Sequence, residues 1–257
     1  MNVLEHLEPK SVFRFFEEMC AIPHGSRNTK AVSDWCADFA RARGLEYHQD
    51  GDNNIIIIKE AAPGYEAAPP VILQGHLDMV CEQTADCQKD MSREGLDLAV
   101  DGDFVYAKGT TLGGDDGIAV AMALALLDAE GLPHPRLEAV FTVDEEIGLL
   151  GAASIDVTPL KGRQMLNLDS EAEGIFTVSC AGGNTSACLL PLTRAPFDGA
   201  GVTVAVGGLT GGHSGAEIHK GRANANVLMG RILRAAARRT ELRLLRVDGG
   251  LKDNAIP

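Results

Sequence analysis

The chain has 257 residues, 45% of them hydrophobic, enough for a substantial core in one large domain or two smaller ones. Its formal net charge of −13 argues against nucleic acid as the main partner, because phosphate binding requires clustered Lys and Arg. Six cysteines at irregular spacings, with no CxxC, argue against a thiolate zinc site or a dense disulfide framework.

The first residues are interrupted by Glu5, Glu8, Lys10 and Arg14, which does not suit a signal peptide. Ser11 to Met19 reads as a helix. Thr29 to Gly44 reads as a second, with Val32, Trp35, Cys36, Phe39 and Ala40 on one face and Gly44 as its stop. Asn54 to Lys59 carries the run Ile55-Ile56-Ile57-Ile58, too short for a helix and suited to a buried strand. A Pro/Gly/Ala loop from Ala61 to Pro70 leads to a short buried strand, Val71 to Gln74. An apolar helix from Asp116 to Glu130 ends at Gly131 and Pro133, followed by strands at Leu137 to Val143 and Met165 to Leu168. This alternation predicts an α/β domain over residues 1–182 with a mostly parallel, two-sided sheet flanked by helices. Beyond Gly183 the texture becomes more alternating. Strands are expected at Val202 to Val206 and Glu241 to Val247, with an amphipathic helix from Asn224 to Arg239 between them. That predicts a second, smaller α+β domain over residues 183–257. No apolar run approaches the roughly 20 residues needed to cross a bilayer, so a cytoplasmic protein without membrane contact is expected.

In open α/β sheets, chemistry gathers beyond the carboxyl ends of the strands. VILQGHLDM delivers His76 and Asp78 there, TLGGDDG delivers Asp115 and Asp116, AVFTVDEEIG delivers Asp144, Glu145 and Glu146, and MLNLDSE delivers Asp169. Each has a bland explanation alone: a structural histidine, an acidic pair that stabilises a helix start, a solvated acidic loop. Together they would crowd carboxylates at one rim, and carboxylates about 4 Å apart repel strongly in a partly desolvated site. Divalent cations relieve that repulsion. Imidazole and carboxylate donors without thiolate suit Zn²⁺ in a catalytic setting, with Mn²⁺ or Co²⁺ as substitutes. Asp78, two residues past His76, is placed to accept the imidazole's other N–H and fix its tautomer. The Glu145-Glu146 pair allows one carboxylate to bind metal while the other moves a proton. GTTLGGDDG lacks the Lys-Ser/Thr of a P-loop, no GxSxG elbow is present, and Arg231, Arg234, Arg238 and Arg239 suit a solvated helix face.

GHLDM, GGDDG, DEEIGLLGA, LNLDSE and GGHSGAEIHKGRANAN occur in an order that resembles the dinuclear zinc peptidase clan. Within it, the GGDDG and GGHSGAEIHKGR forms resemble the aminoacyl-histidine (Xaa-His, cytosol non-specific) dipeptidase family, continuously to Pro257. The resemblance implies a zinc-peptidase-like catalytic domain with a lid domain, and hydrolysis of small peptides, Xaa-His dipeptides among them, at two divalent metals. His76 and Asp169 would bind one metal and Glu146 the other, with Asp115 bridging. Glu145 would be the general base and acid, Asp78 would orient His76, and His213 would meet the substrate or developing oxyanion, with His219 as its rival.

The resemblance also implies a chain nearly twice as long, with a fifth ligand histidine near its C-terminus, so that the lid here would be incomplete. A homodimer formed through the lid is a further expectation. Two alternatives stay open: another amide hydrolase of the clan, such as a tripeptidase or an acyl-amino-acid deacylase, and a metal-binding fragment without turnover.

Overall fold

The computed structural model describes residues 3–170, 173–180, 182, 184, 186–250, 252 and 255–257. The chain divides into two compact units, Met1–Ile175 and Phe176–Pro257. The division comes earlier than the expected break after Gly182, and Gly183 lies outside the described residues.

In the first unit, helix α1 (Lys10–Cys20) buries Val12, Phe15, Phe16, Met19 and Cys20, the i, i+3, i+4, i+7, i+8 positions of one face. Helix α2 (Lys30–Ala42) buries Val32, Cys36, Ala37, Phe39 and Ala40, and its Phe39 ring meets Phe15 edge-on. Strand β1 (Glu46–Gln49) pairs with β2 (Ile55–Lys59). Ile55 and Ile57 of β2 join the helices in the main core, while Ile56 and Ile58 form a smaller cluster on the other face with Ile72 and Val140. Next come β3 (Val71–His76), a separate hairpin of β4 (Leu98–Asp101) and β5 (Phe104–Ala107), and helix α3 (Gly114–Asp128). Strand β6 (Leu137–Thr142), the short helix α4 (Leu150–Ser154) and β7 (Gln164–Asn167) complete the unit's regular elements.

The sheet order is β1-β2-β6-β3-β7. β3 runs parallel to both β6 and β7, whereas β2 runs antiparallel to both β1 and β6. The α/β architecture is as expected, with the parallel strands where the motifs lie and the antiparallel pair to one side. Helix α3 lies in the long connection from β3 to β6 and packs on both strands and on α1. As a result β3, β6 and β7 finish on one side of the sheet, and α3 begins there. TLGGDDG therefore sits in the first turn of α3, not at a strand exit.

The second unit holds the two-residue strand β8 (Gly212–His213) paired antiparallel with β9 (Ala255–Ile256), a 3₁₀ turn over Ile218–Lys220, and helix α5 (Ala225–Ala237). Asn224 caps α5 by accepting the Val227 N–H at 3.0 Å. Residues 202–206 and 241–247 are not strands: no backbone ladder forms along them, and Val202, Leu244 and Leu245 stay exposed. Among the described residues, no helix is long and apolar enough to cross a membrane.

One buried ion pair fixes the approach to β7. Glu138 of β6 has no solvent exposure and accepts Arg136 Nε at 2.7 Å together with the N–H groups of Lys161 and Gly162, both at 2.9 Å. Burial opposes ionisation, but Arg136 and the two backbone donors hold the Glu138 carboxyl below its usual range. Its stabilisation is therefore full above about pH 4.5, the ordinary glutamate value, and is lost as pH falls through the lowered folded value. Glu138→Gln leaves Arg136 without its buried counter-charge, and breaking such a pair from one side costs about 3–5 kcal/mol. Urea unfolding of this variant should show a lower midpoint at neutral pH and a flatter fall in stability below pH 4.5; a wild-type curve would contradict this account.

Candidate metal centre

His76 is the last residue of β3, and the ladder to β6 continues one step further through Leu77 N–H donating to Thr142 O at 2.8 Å. The His76 ring is fully buried. Its Nδ1 donates to the Asp78 carbonyl at 2.9 Å, while the Asp78 carboxylate stands 3.5 Å away. The bond fixing the ring is thus made to the Asp78 backbone rather than its side chain, which adjusts the role expected for Asp78. With Nδ1 donating, Nε2 is the nitrogen left to act as a ligand. It faces Asp115 Oδ1 at 3.1 Å and Glu145 Oε2 at 3.9 Å.

The Asp78 carboxylate is equally buried and has its own partners. Oδ2 accepts the Ser26 hydroxyl at 2.8 Å and Oδ1 accepts the Glu145 N–H at 3.0 Å. Burial would raise its pKa, but His76, Ser26 and the Glu145 N–H together hold it below the usual carboxylate range.

Asp115 and Asp116 open α3 with non-helical backbone angles and a cis peptide between them. The His76 hydrogen bond outweighs burial and keeps the Asp115 carboxyl low, with the His76 charge and the neighbouring Asp169 carboxyl acting in the same direction. Asp116 turns inward, where its Oδ2 accepts the His76 N–H at 3.1 Å. Burial first, then the charges of Asp169 and Asp115, push its pKa up to about 7 against the pull of His76. Gly75 makes room for it, because a Cβ there would fall 2.6 Å from Asp116 Oδ2.

Past β6, Asp144 adopts a left-handed φ of 55° and the chain turns, leaving Glu145 and Glu146 partly buried. Burial raises both carboxyls, helped by Asp169 and Asp78 at Glu145 and by Asp115 and Glu145 at Glu146. Asp169 follows β7 by two residues. Burial alone would lower the His76 pKa, yet Asp115, Asp78 and Asp116 carry it up to about 11, so this point of the structure strongly favours positive charge.

Two sets of side chains bring ligand atoms within 4.8 Å of one another: His76, Asp115 and Glu146, and His76, Glu145 and Asp169. The expected residues of the first unit are thus gathered at one rim. Glu145, expected as the proton carrier, groups with Asp169. His213 belongs to the second unit, where its Nδ1 accepts the N–H groups of Gly215 and Ala216 at 3.0 and 2.9 Å. His219 lies in the 3₁₀ turn. The sequence reading did not single out Ser26 or Gly75. Neither carries a signal of its own, since each matters through a partner about 40 to 50 residues away, a scale that pattern spacing cannot reach.

Residues 72–187 match the model of Peptidase family M20/M25/M40. The chain is 39% identical over 261 residues to the cytosol non-specific dipeptidase of Escherichia coli K12, covering 100% of this chain and 53% of that protein. The crystal structure of aminoacylhistidine dipeptidase from Vibrio alginolyticus is similar with a TM-score of 0.68 at 34% identity, covering 99% of this chain and 52% of that one. A tripeptidase of Staphylococcus aureus shares the fold, with a TM-score of 0.55 at 18% identity over 96% of this chain and 63% of that one. The chain spans about half the length of the two dipeptidases.

The contact between Gly75 and Asp116 can be tested directly. Gly75→Ala should displace Asp116 and cost about 1–3 kcal/mol, as overpacking in a tight interior does. Chemical denaturation should show lower stability, and titration with a divalent metal should show weaker retention at the site. A variant with wild-type values for both would mean that the interior accommodates the methyl group freely.

Proposed function

We propose that the chain carries a domain of peptidase family M20/M25/M40, whose model residues 72–187 match, and that the protein hydrolyses dipeptides, Xaa-His among them, at a centre of two divalent metals. The observation that carries this reading is the convergence of His76, Asp115, Glu145, Glu146 and Asp169, with ligand atoms close enough to share cations. The similarity to two proteins named as dipeptidases supports a dipeptide as substrate.

An imidazole nitrogen with carboxylate oxygens and no thiolate fits zinc in a catalytic setting, with cobalt or manganese as substitutes. His76 and Asp169 would hold one ion and Glu146 the other, with Asp115 available to both. When bound, the two cations supply Lewis acidity toward the scissile carbonyl and make water a stronger acid. Glu145 takes the proton from the attacking water and returns it to the leaving amine. Its raised pKa suits that exchange, because a base that must also act as an acid works best when its pKa lies closer to the working pH. Asp78 holds the His76 ring's surroundings and the Glu145 backbone in place. In His213 both backbone donors meet Nδ1, so the proton sits on Nε2, the form that can donate to a developing oxyanion. This supports His213 over His219 in that role.

Two variants of the intact protein separate these assignments. Glu145→Gln should retain both metals and substrate affinity while kcat falls by about 10²–10⁴-fold. Turnover near the wild-type rate would remove Glu145 from the mechanism. Asp115→Ala should lose both metals, because the shared carboxylate holds them together. Two tightly retained ions, measured by elemental analysis after dialysis, would sink the bridging assignment.

A further inference from the structure

The segment between α1 and α2 reaches the metal centre although no ligand comes from it. Met79 N–H donates to His24 O at 3.2 Å, Ser26 N–H donates to Met79 O at 3.4 Å, and Gly25 and Met79 form a parallel bridge. Residues 24–26 therefore lie alongside the chain just past β3. Gly25 permits this approach, since a Cβ there would fall 2.5 Å from Cys81 Sγ.

From this position the segment makes two bonds across the fold. The Ser26 hydroxyl donates to Asp78 Oδ2 at 2.8 Å, and the Arg27 N–H donates to Asp144 Oδ1 at 2.6 Å. The first bond matters most. The Asp78 side chain has no solvent exposure, and its other oxygen receives the Glu145 N–H and stands 3.5 Å from His76 Nδ1. A carboxylate turns easily about its last torsion, and only partners on both oxygens stop it. Glu145 holds one oxygen and Ser26 the other. Without the hydroxyl, Oδ2 is left buried without this donor, and the carboxylate can regain a partner only by turning away from Glu145 and His76. A hydroxyl suits this place because it donates without adding charge. A Lys or Arg would compete with a cation, and a carboxylate would add to the repulsion.

We propose that Ser26 is a positioning residue: its hydroxyl locks the Asp78 carboxylate and, through it, the backbone of Glu145 and the negative charge that faces His76 Nδ1. This rests on the reading of His76 as a metal ligand and Glu145 as the proton carrier. Side chains that hold metal ligands in place typically change metal affinity or activity by about 10–100-fold when removed.

The test uses the intact protein with Ser26→Ala and Ser26→Thr. Zinc affinity is measured by chelator competition, kcat and KM with an Xaa-His dipeptide, and the thermal midpoint on the metal-free protein. Ser26→Ala should weaken zinc binding by about 10–100-fold and lower kcat with little change in KM, with at most a modest fall in the metal-free midpoint that Ser26→Thr reverses. Ser26→Thr keeps the hydroxyl and should restore both quantities. Zinc affinity in Ser26→Ala within about twofold of wild type would overturn the proposal, as would a loss that Ser26→Thr does not recover. Should Ser26→Ala fail to fold, Ser26→Cys, a weaker donor of similar size, replaces it with the same expectations. A wild-type protein that binds zinc but hydrolyses no dipeptide defeats the dipeptidase reading alone, and zinc affinity still decides the role of Ser26.

Discussion

The His76 ring has no access to solvent, with Asp78 on its Nδ1 side and Asp115 and Glu145 on its Nε2 side. Negative charge gathered at such a point is costly when no positive charge answers it. The surroundings divide the carboxyls in two. Those within 3.5 Å of the His76 ring nitrogens, Asp78 and Asp115, are held in the ionised form. Those without equivalent compensation, Asp116, Glu145 and Glu146, are pushed toward the protonated form. Separating neighbouring carboxyls in this way gives one site both fixed anions and groups able to exchange protons.

The sheet decides where this crowding occurs. Because β3 is parallel to β6 and β7, their last residues leave on one side, and three loops with acidic or imidazole groups meet there. The start of α3 brings Asp115 and Asp116 to the same rim, where exposed helix N–H groups make negative charge easier to hold. An antiparallel arrangement of these strands would send alternate loops to opposite ends. The two antiparallel pairings involve β1 and β2, which contribute none of the gathered side chains.

How much of this could be read from the sequence depended on burial. β2, β3 and β6 are legible as apolar runs because both of their faces are covered, and α1 and α2 are legible because one face is. β1 reads EYHQ and sits exposed at the sheet edge, so hydrogen bonding to β2 forms it without an apolar pattern. The alternating residues 202–206 and 241–247 show the converse: alternation marks a surface ready to pair, yet without a ladder there is no strand. At the site, the ligand types announce themselves through their motifs. The groups holding them do not, because a serine donating to an aspartate across 52 residues leaves no periodic trace.

The supports of the site differ in kind from those elsewhere in the molecule. Structural carboxylates are answered by permanent cations: Glu138 by Arg136, Asp128 by Arg14 and Arg43, Glu217 by Arg222 and Lys220. Among the described residues, the ion pairs of Asp78, Asp115 and Glu145 are all made with His76. Their remaining bonds include a serine hydroxyl and a backbone N–H on Asp78, and next to them Arg27 N–H fixes Asp144 and Asn54 Oδ1 accepts the Val143 N–H at 3.1 Å. Neutral donors fix orientation without discharging the carboxylates. An arginine in the same position would satisfy the geometry but would also occupy the charge that a divalent cation must meet. The strained turn fits the same logic: Arg27 and Asp144 both hold left-handed φ values, of 65° and 55°, and are bonded to each other. Such conformations cost on the order of 1–3 kcal/mol each and persist only where neighbouring contacts impose them. Here those contacts hold the turn that presents Glu145 and Glu146 to the rim.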